Sequence, residues 1–140
     1  MTSIERAKKI LKDGGYTIVL CNGDELYTSS ERGVKPMLDF IDSKTDLHGF
    51  CVADKVVGKA AAMLFCHAGI VEVHTDVISE SAADYLDAKG ITFTYDNLVK
   101  NIINRKGDGI CPMEEVTADI TDTDEAILAI KKRLAELRKD

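Results

Sequence analysis

The chain has 140 residues, 45% of them apolar, and a formal net charge of −6. That is the length of one ordinary domain, with enough apolar content to build a core without disulfide or metal staples. The acidic balance argues against a general nucleic-acid binder. No window approaches the roughly 20 apolar residues of a membrane span, and Met1–Arg6 lacks the apolar core of a secretory signal, so a cytoplasmic location is expected.

Thr2 and Glu5 have capping-box spacing, and Ile4, Ala7, Ile10 and Leu11 give a first helix one apolar face, stopped at Asp13-Gly14-Gly15. Tyr16–Cys21 reads as a strand, Asn22-Gly23 as a hairpin turn and Glu25–Ser29 as the antiparallel partner. Pro36 belongs in the first turn of a helix that buries Met37, Leu38, Phe40 and Ile41. Phe50–Ala53 is a short interior strand, after which Asp54 is expected to cap a helix running to about His67, apolar almost all round and ended by Gly69.

Ile70–His74 reads as a strand, Ser79 as the cap of a helix through Leu86, and Ile91–Tyr95 as a fifth strand. Asp96 is expected to cap a further helix carrying Leu98, Val99, Ile102 and Ile103, followed by a turn-rich loop over 104–109. Cys111-Pro112-Met113-Glu114 opens a short turn, and Thr121–Asp124 caps a last helix with a narrow seam at Ile127, Ile130, Leu134 and Leu137.

Strands separated by helices imply a mostly parallel sheet with helices on both faces. The expectation is one α/β domain over residues 1–140, a three-layer α/β/α sandwich on a mixed five-stranded sheet that starts with an antiparallel hairpin. Its core spans about 15–114 and its C-terminal helix about 122–138. Cys21, Cys51, Cys66 and Cys111 are far apart and read as free thiols, most of them small core residues. His48, His67 and His74 read as surface or hydrogen-bonded residues, because no CxxC, HxxxH or HExxH occurs. No metal and no cofactor are expected.

Ligands of open α/β sheets sit beyond the C-terminal strand ends, where helix N-termini favour anions. Asp54 is placed at such an end, with Lys55 and Lys59 one turn apart and Gly58 beside them. Cations in a first helical turn oppose the dipole, and a glycine there costs helix propensity. Several unfavourable choices together point to the approach of an anionic ligand. The alternative is that the lysines reach solvent or pair with Asp54, Glu31 or Asp39, and that Gly58 permits close packing.

The wording of the chain carries a resemblance. Arg32-Gly33-Val34-Lys35-Pro36, Asp54-Lys55-Val56-Val57-Gly58-Lys59-Ala60-Ala61, Ser79-Glu80, and Asn104-Arg105 with Cys111-Pro112-Met113-Glu114 resemble an uncharacterised bacterial and archaeal family with a cytidine-deaminase-like fold. The resemblance spans about Gly15 to Glu114. Zinc deaminases carry His-x-Glu after the hairpin and Pro-Cys-x-x-Cys at the next helix. Here those places read Glu31-Arg32-Gly33-Val34 and Ala53-Asp54-Lys55-Val56-Val57-Gly58. The usual zinc-hydroxide machinery is therefore not expected.

The resemblance implies that Arg32, Gly33 and Lys35 approach the same strand ends as Asp54, Lys55, Gly58 and Lys59, forming a local anion pocket. Arg105 could clamp a phosphate bidentately. Cys111, followed by Pro112 at a helix start, is a candidate nucleophile, with Glu114 lining the mouth. Glu114 could also simply cap the turn. The leading expectation is a metal-free deaminase-fold protein that binds a nucleotide or other phosphorylated small molecule. One alternative is a thiol-dependent enzyme or redox sensor centred on Cys111. Another is a non-catalytic regulatory protein, a homo-oligomer through the last helix included. No nucleic-acid or membrane partner is expected.

Overall fold

The N-terminal capping box forms as read. In the computed structural model, which describes residues 1–104 and 106–138, Thr2 Oγ1 accepts from Glu5 N at 3.2 Å. Helix α1 (Ser3–Gly14) then runs to Gly15, whose φ of 70° closes it in the left-handed conformation. Asn22-Gly23 turns β1 (Ile18–Asn22) into antiparallel β2 (Glu25–Ser29), with Leu20 opposite Tyr27. Helix α2 (Lys35–Asp42) holds Pro36 in its first turn and buries Met37 and Leu38.

The three later strands are longer than their apolar runs suggest. They are β3 (Cys51–Val57), β4 (Glu72–Ser79) and β5 (Thr92–Val99). Two helix expectations fall with that extension. Asp54 caps no helix: it pairs with Ile18 on one side and Thr75 on the other, inside β3. The helix expected from Asp96 does not form either, because Asn97, Leu98 and Val99 pair in parallel with Val77, Ile78 and Ser79 of β4. In both places the hydrogen-bonding row offered by a neighbouring strand outweighs a local capping signal. Beyond β5, Ile103 instead bridges Ile110 across a turn.

The remaining helices are α3 (Lys59–Ala68), α4 (Glu80–Ala88), α5 (Pro112–Thr117) and α6 (Thr123–Arg138). Ser79 caps α4 as expected, its side chain accepting from Ala82 N at 3.2 Å. The five strands form one open mixed sheet in the order β2-β1-β3-β4-β5, antiparallel across β1 and parallel from β3 to β5.

Both parallel crossovers step the same way along the sheet. The right-handed rule therefore puts α3 and α4 on one face. The large core lies there: α3 is buried over Lys59–Phe65, and Met37, Leu86, Met113 and Ile130 pack around it with Leu20 and Val52 of the sheet. The opposite face is covered by α1, whose Ala7 and Leu11 pack on Val19, Cys21 and Ala53. That helix lies over β1, β3 and part of β4. Helix α6 seats Ala126 and Ile130 against α3 and α5 of its own chain, while Leu137 at the end of the seam stays 40% exposed.

Candidate functional site

A buried carboxylate occupies the head of α3, and it comes from the chain itself. Gly58 is the N-cap and offers no side-chain cap. Glu114, on α5 and only 6% exposed, supplies the missing acceptor. Its Oε1 accepts from Lys59 N at 2.6 Å and from Ser79 Oγ at 3.3 Å, and its Oε2 accepts from Ile102 N at 3.2 Å. A Cβ on Gly58 would sit 2.8 Å from Glu114 Oε1, so any larger residue there would push the carboxylate off its bond to Lys59 N. The helix N-terminus does attract an anion, and α5 delivers it.

The sequence-predicted cations divide among three places. Lys59 is buried and its Nζ donates to Ala118 O at 3.0 Å. Lys35 is exposed and bonds to Glu31 at 3.3 Å and Asp39 at 2.9 Å, which hold its ammonium above its ordinary pKa, the Asp39 hydrogen bond foremost. Arg32 is exposed in the turn ahead of α2, where Gly33 takes a φ of 73°. Lys55 is not on the face of a helix with Lys59, as expected from sequence. It extends from strand β3 into a cleft against α1, because the strand continues through Val57. Arg105 lies outside the described residues. Cys111 is half-buried at the start of α5, its carbonyl accepting from Glu114 N and Glu115 N.

Asp54 is chemically the most perturbed of the predicted residues. It keeps a little exposed surface yet is crowded on all sides. Burial, helped by the Asp76 carboxylate, pushes its pKa up to about 8 against the pull of the Val56 and Lys55 amides. A carboxyl that still holds a proton near neutral pH can donate as well as accept a hydrogen bond.

A second group of polar residues gathers where α1 leaves the sheet uncovered. A cleft of 770 Å³ lies between α1 and strands β3–β5, lined by Lys8, Lys9, Lys12, Lys55, His74, Asp76 and Asp96 among others. His74 Nδ1 lies 2.7 Å from Thr94 Oγ1, and its Nε2 lies 3.9 Å from Asp96 Oδ1. Burial first, and then the Lys8 ammonium, hold His74 below its ordinary pKa, so the ring is neutral at pH 7. In this cleft lysines and a His/Asp/Asp group face the same space.

The profile of the TM1506 family, a domain of unknown function (DUF1893), matches residues 6–134. The chain belongs to the DUF1893 family. Its structure is similar to the crystal structure of a DUF1893 family protein, TM1506 from Thermotoga maritima. The TM-score is 0.86 at 27% identity, over 94% of this chain and 89% of that one. A search among curated proteins finds no match.

Apart from Lys55, sequence reasoning gave no site role to the cleft residues of this DUF1893 protein, although two signals for them were present. Thr92, Thr94 and Asp96 alternate along one strand, and His74 and Asp76 along the next, which marks one sheet face as polar. Lys8 and Lys12 sit one turn apart, each following a buried residue, Ala7 or Leu11. What joins the two signals is the packing of α1 across β3 and β4, which no local pattern encodes.

Proposed function

We propose that this DUF1893 domain binds a phosphorylated small molecule, of the nucleotide class, in the cleft between α1 and β3–β5. The observation that carries this reading is the convergence of Lys8, Lys9, Lys12 and Lys55 on one cleft in a chain of net charge −6. Ammonium groups are point-charge partners for phosphate. The cleft volume falls in the range of roughly 300–1,000 Å³ usual for small-molecule sites. The head of α3, where the sequence suggested a ligand, already has its acceptor in Glu114.

The nucleotide class draws on the cytidine-deaminase-like reading of the fold. The strand order β2-β1-β3-β4-β5, with an antiparallel hairpin at one edge and β3–β5 parallel, supports that reading. The residues that would ligate a deaminase zinc are absent from the corresponding sequence positions, so no deamination step is assigned.

Thermal unfolding in EDTA, at fixed ionic strength, with inorganic phosphate, nucleoside mono-, di- and triphosphates and ribose 5-phosphate checks the proposal. A ligand present at about 100 times its Kd stabilises by ~2.7 kcal/mol, a rise of several degrees. The rise should vanish in Lys8→Ala/Lys55→Ala and persist in Arg32→Ala/Lys35→Ala. The opposite pattern would place the ligand at the head of α2 instead, and a flat response across the panel would sink the reading.

A further inference from the structure

We infer that His74, Asp76 and Asp96 form a binding site for one divalent metal ion of the zinc type. This goes beyond the phosphate reading and does not depend on it. It also departs from the sequence-based expectation of no metal.

The imidazole is set as a metal ligand is set. His74 is only 8% exposed, and its Nδ1 is engaged by the Thr94 hydroxyl at 2.7 Å. Its Nε2 has no hydrogen-bond partner among the described residues and points toward Asp96 Oδ1, 3.9 Å away. A ligating histidine characteristically uses its second ring nitrogen in this way, which fixes both tautomer and orientation.

The carboxylates complete the set. Asp76 lies two residues along the same strand. The registered pairs Thr75–Tyr95 and Val77–Asn97 place Asp96 beside it on the next strand. Like charges directly opposite one another on adjacent strands repel. Lys55 is third in this row, yet no ion pair joins it to either acid among the described residues. A divalent cation between the acids removes the repulsion, and its charge matches two carboxylates and one neutral imidazole. One ligand atom from each of the three residues already lies within 4.8 Å of the other two. Ligands at zinc distances of about 2.0–2.2 Å in a tetrahedral shell lie ~3.3–3.6 Å apart, and both aspartates are exposed, so rotamer changes at the two aspartates close the gap. One nitrogen and two oxygens suit zinc or manganese better than magnesium. Three protein ligands leave a coordination position facing the cleft and its lysines.

The test uses the untagged full chain, stripped with chelator and titrated calorimetrically with Zn²⁺ alone, with Co²⁺ absorption as a second readout. One ion per chain is expected. Binding should weaken at least 10-fold in Asp76→Asn and in Asp96→Asn, and about 10-fold in Thr94→Val. Binding should be unchanged in Cys66→Ser and Cys111→Ser. The His74 Nε2 nitrogen resonance should shift on addition of Zn²⁺. Both aspartates are exposed, so their variants test the site even if His74→Gln fails to fold. Stoichiometric binding that both aspartate variants retain, or no binding at millimolar Zn²⁺, overturns the inference. Since the phosphate screen runs in EDTA and this titration contains no phosphate, each result stands alone.

Discussion

Asp54→Asn is expected to stabilise the protein at pH 8 and to leave it unchanged near pH 4. In the folded state the Asp54 carboxyl has a pKa pushed up to about 8, from an ordinary value of 3.8, chiefly by burial. Between those two values the folded protein holds a proton that the unfolded chain has released. Stability therefore falls as pH rises through this window, and the full penalty applies above the folded pKa. A rise of about four units, from 3.8 to about 8, at about 1.4 kcal/mol per unit puts the penalty on the order of 5–6 kcal/mol. Asparagine carries no such penalty and keeps an oxygen to accept from Val56 N, as Asp54 Oδ1 does at 3.4 Å. Urea unfolding from pH 4 to pH 9 should show the wild type losing stability relative to the variant as pH rises. Parallel curves would mean that Asp54 ionises normally and is no reservoir for a proton in the fold.

Glu114→Ala is expected to be the most damaging single change at the head of α3. It removes the acceptor for Lys59 N, Ser79 Oγ and Ile102 N together, in a place where the carboxylate is only 6% exposed. Hydrogen bonds to a charged group contribute about 1.5–3 kcal/mol each, and stranded buried donors add a desolvation cost. The expected loss is about 3–5 kcal/mol, or ~10 °C or more in Tm. Glu114→Gln should fall between, because its amide nitrogen faces a donor.

Gly58→Ala provides an internal check on this geometry. Its new Cβ would sit 2.8 Å from Glu114 Oε1 and 3.2 Å from Glu114 Cδ. Alone it should cost about 1–3 kcal/mol. Combined with Glu114→Ala it should cost almost nothing more, giving a coupling of at least ~1 kcal/mol in a denaturation cycle. Additive effects would show that the two residues do not meet.

Local signals marked many element boundaries well. Thr2, Gly15, Asn22-Gly23, Pro36, Gly69 and Ser79 each mark one, since caps and turns depend on a few adjacent residues. Strand ends were less legible. Asp54 and Asp96 have the chemistry of helix caps, yet both lie within strands because β4 presents hydrogen-bonding groups to each side. One displaced boundary moved Lys55 from a helix face to the cleft beside α1 and separated it from Lys59.

The chain's own order of residues determined the α/β class, the antiparallel opening hairpin and the buried character of α3, and it suggested an anionic ligand at the head of that helix. These follow from apolar periodicity, turn chemistry and the exposed amides of a helix N-terminus, all of which act over a few residues. Tertiary structure alone decided that the anion is Glu114, arriving from 55 residues away along the chain. It also decided that Lys8, Lys55, His74, Asp76 and Asp96 share one cleft. The reason is geometric: right-handed crossovers put α3 and α4 on one face of the sheet, and α1 then spans only part of the other. Side chains distant in sequence become neighbours on the uncovered strands through that packing.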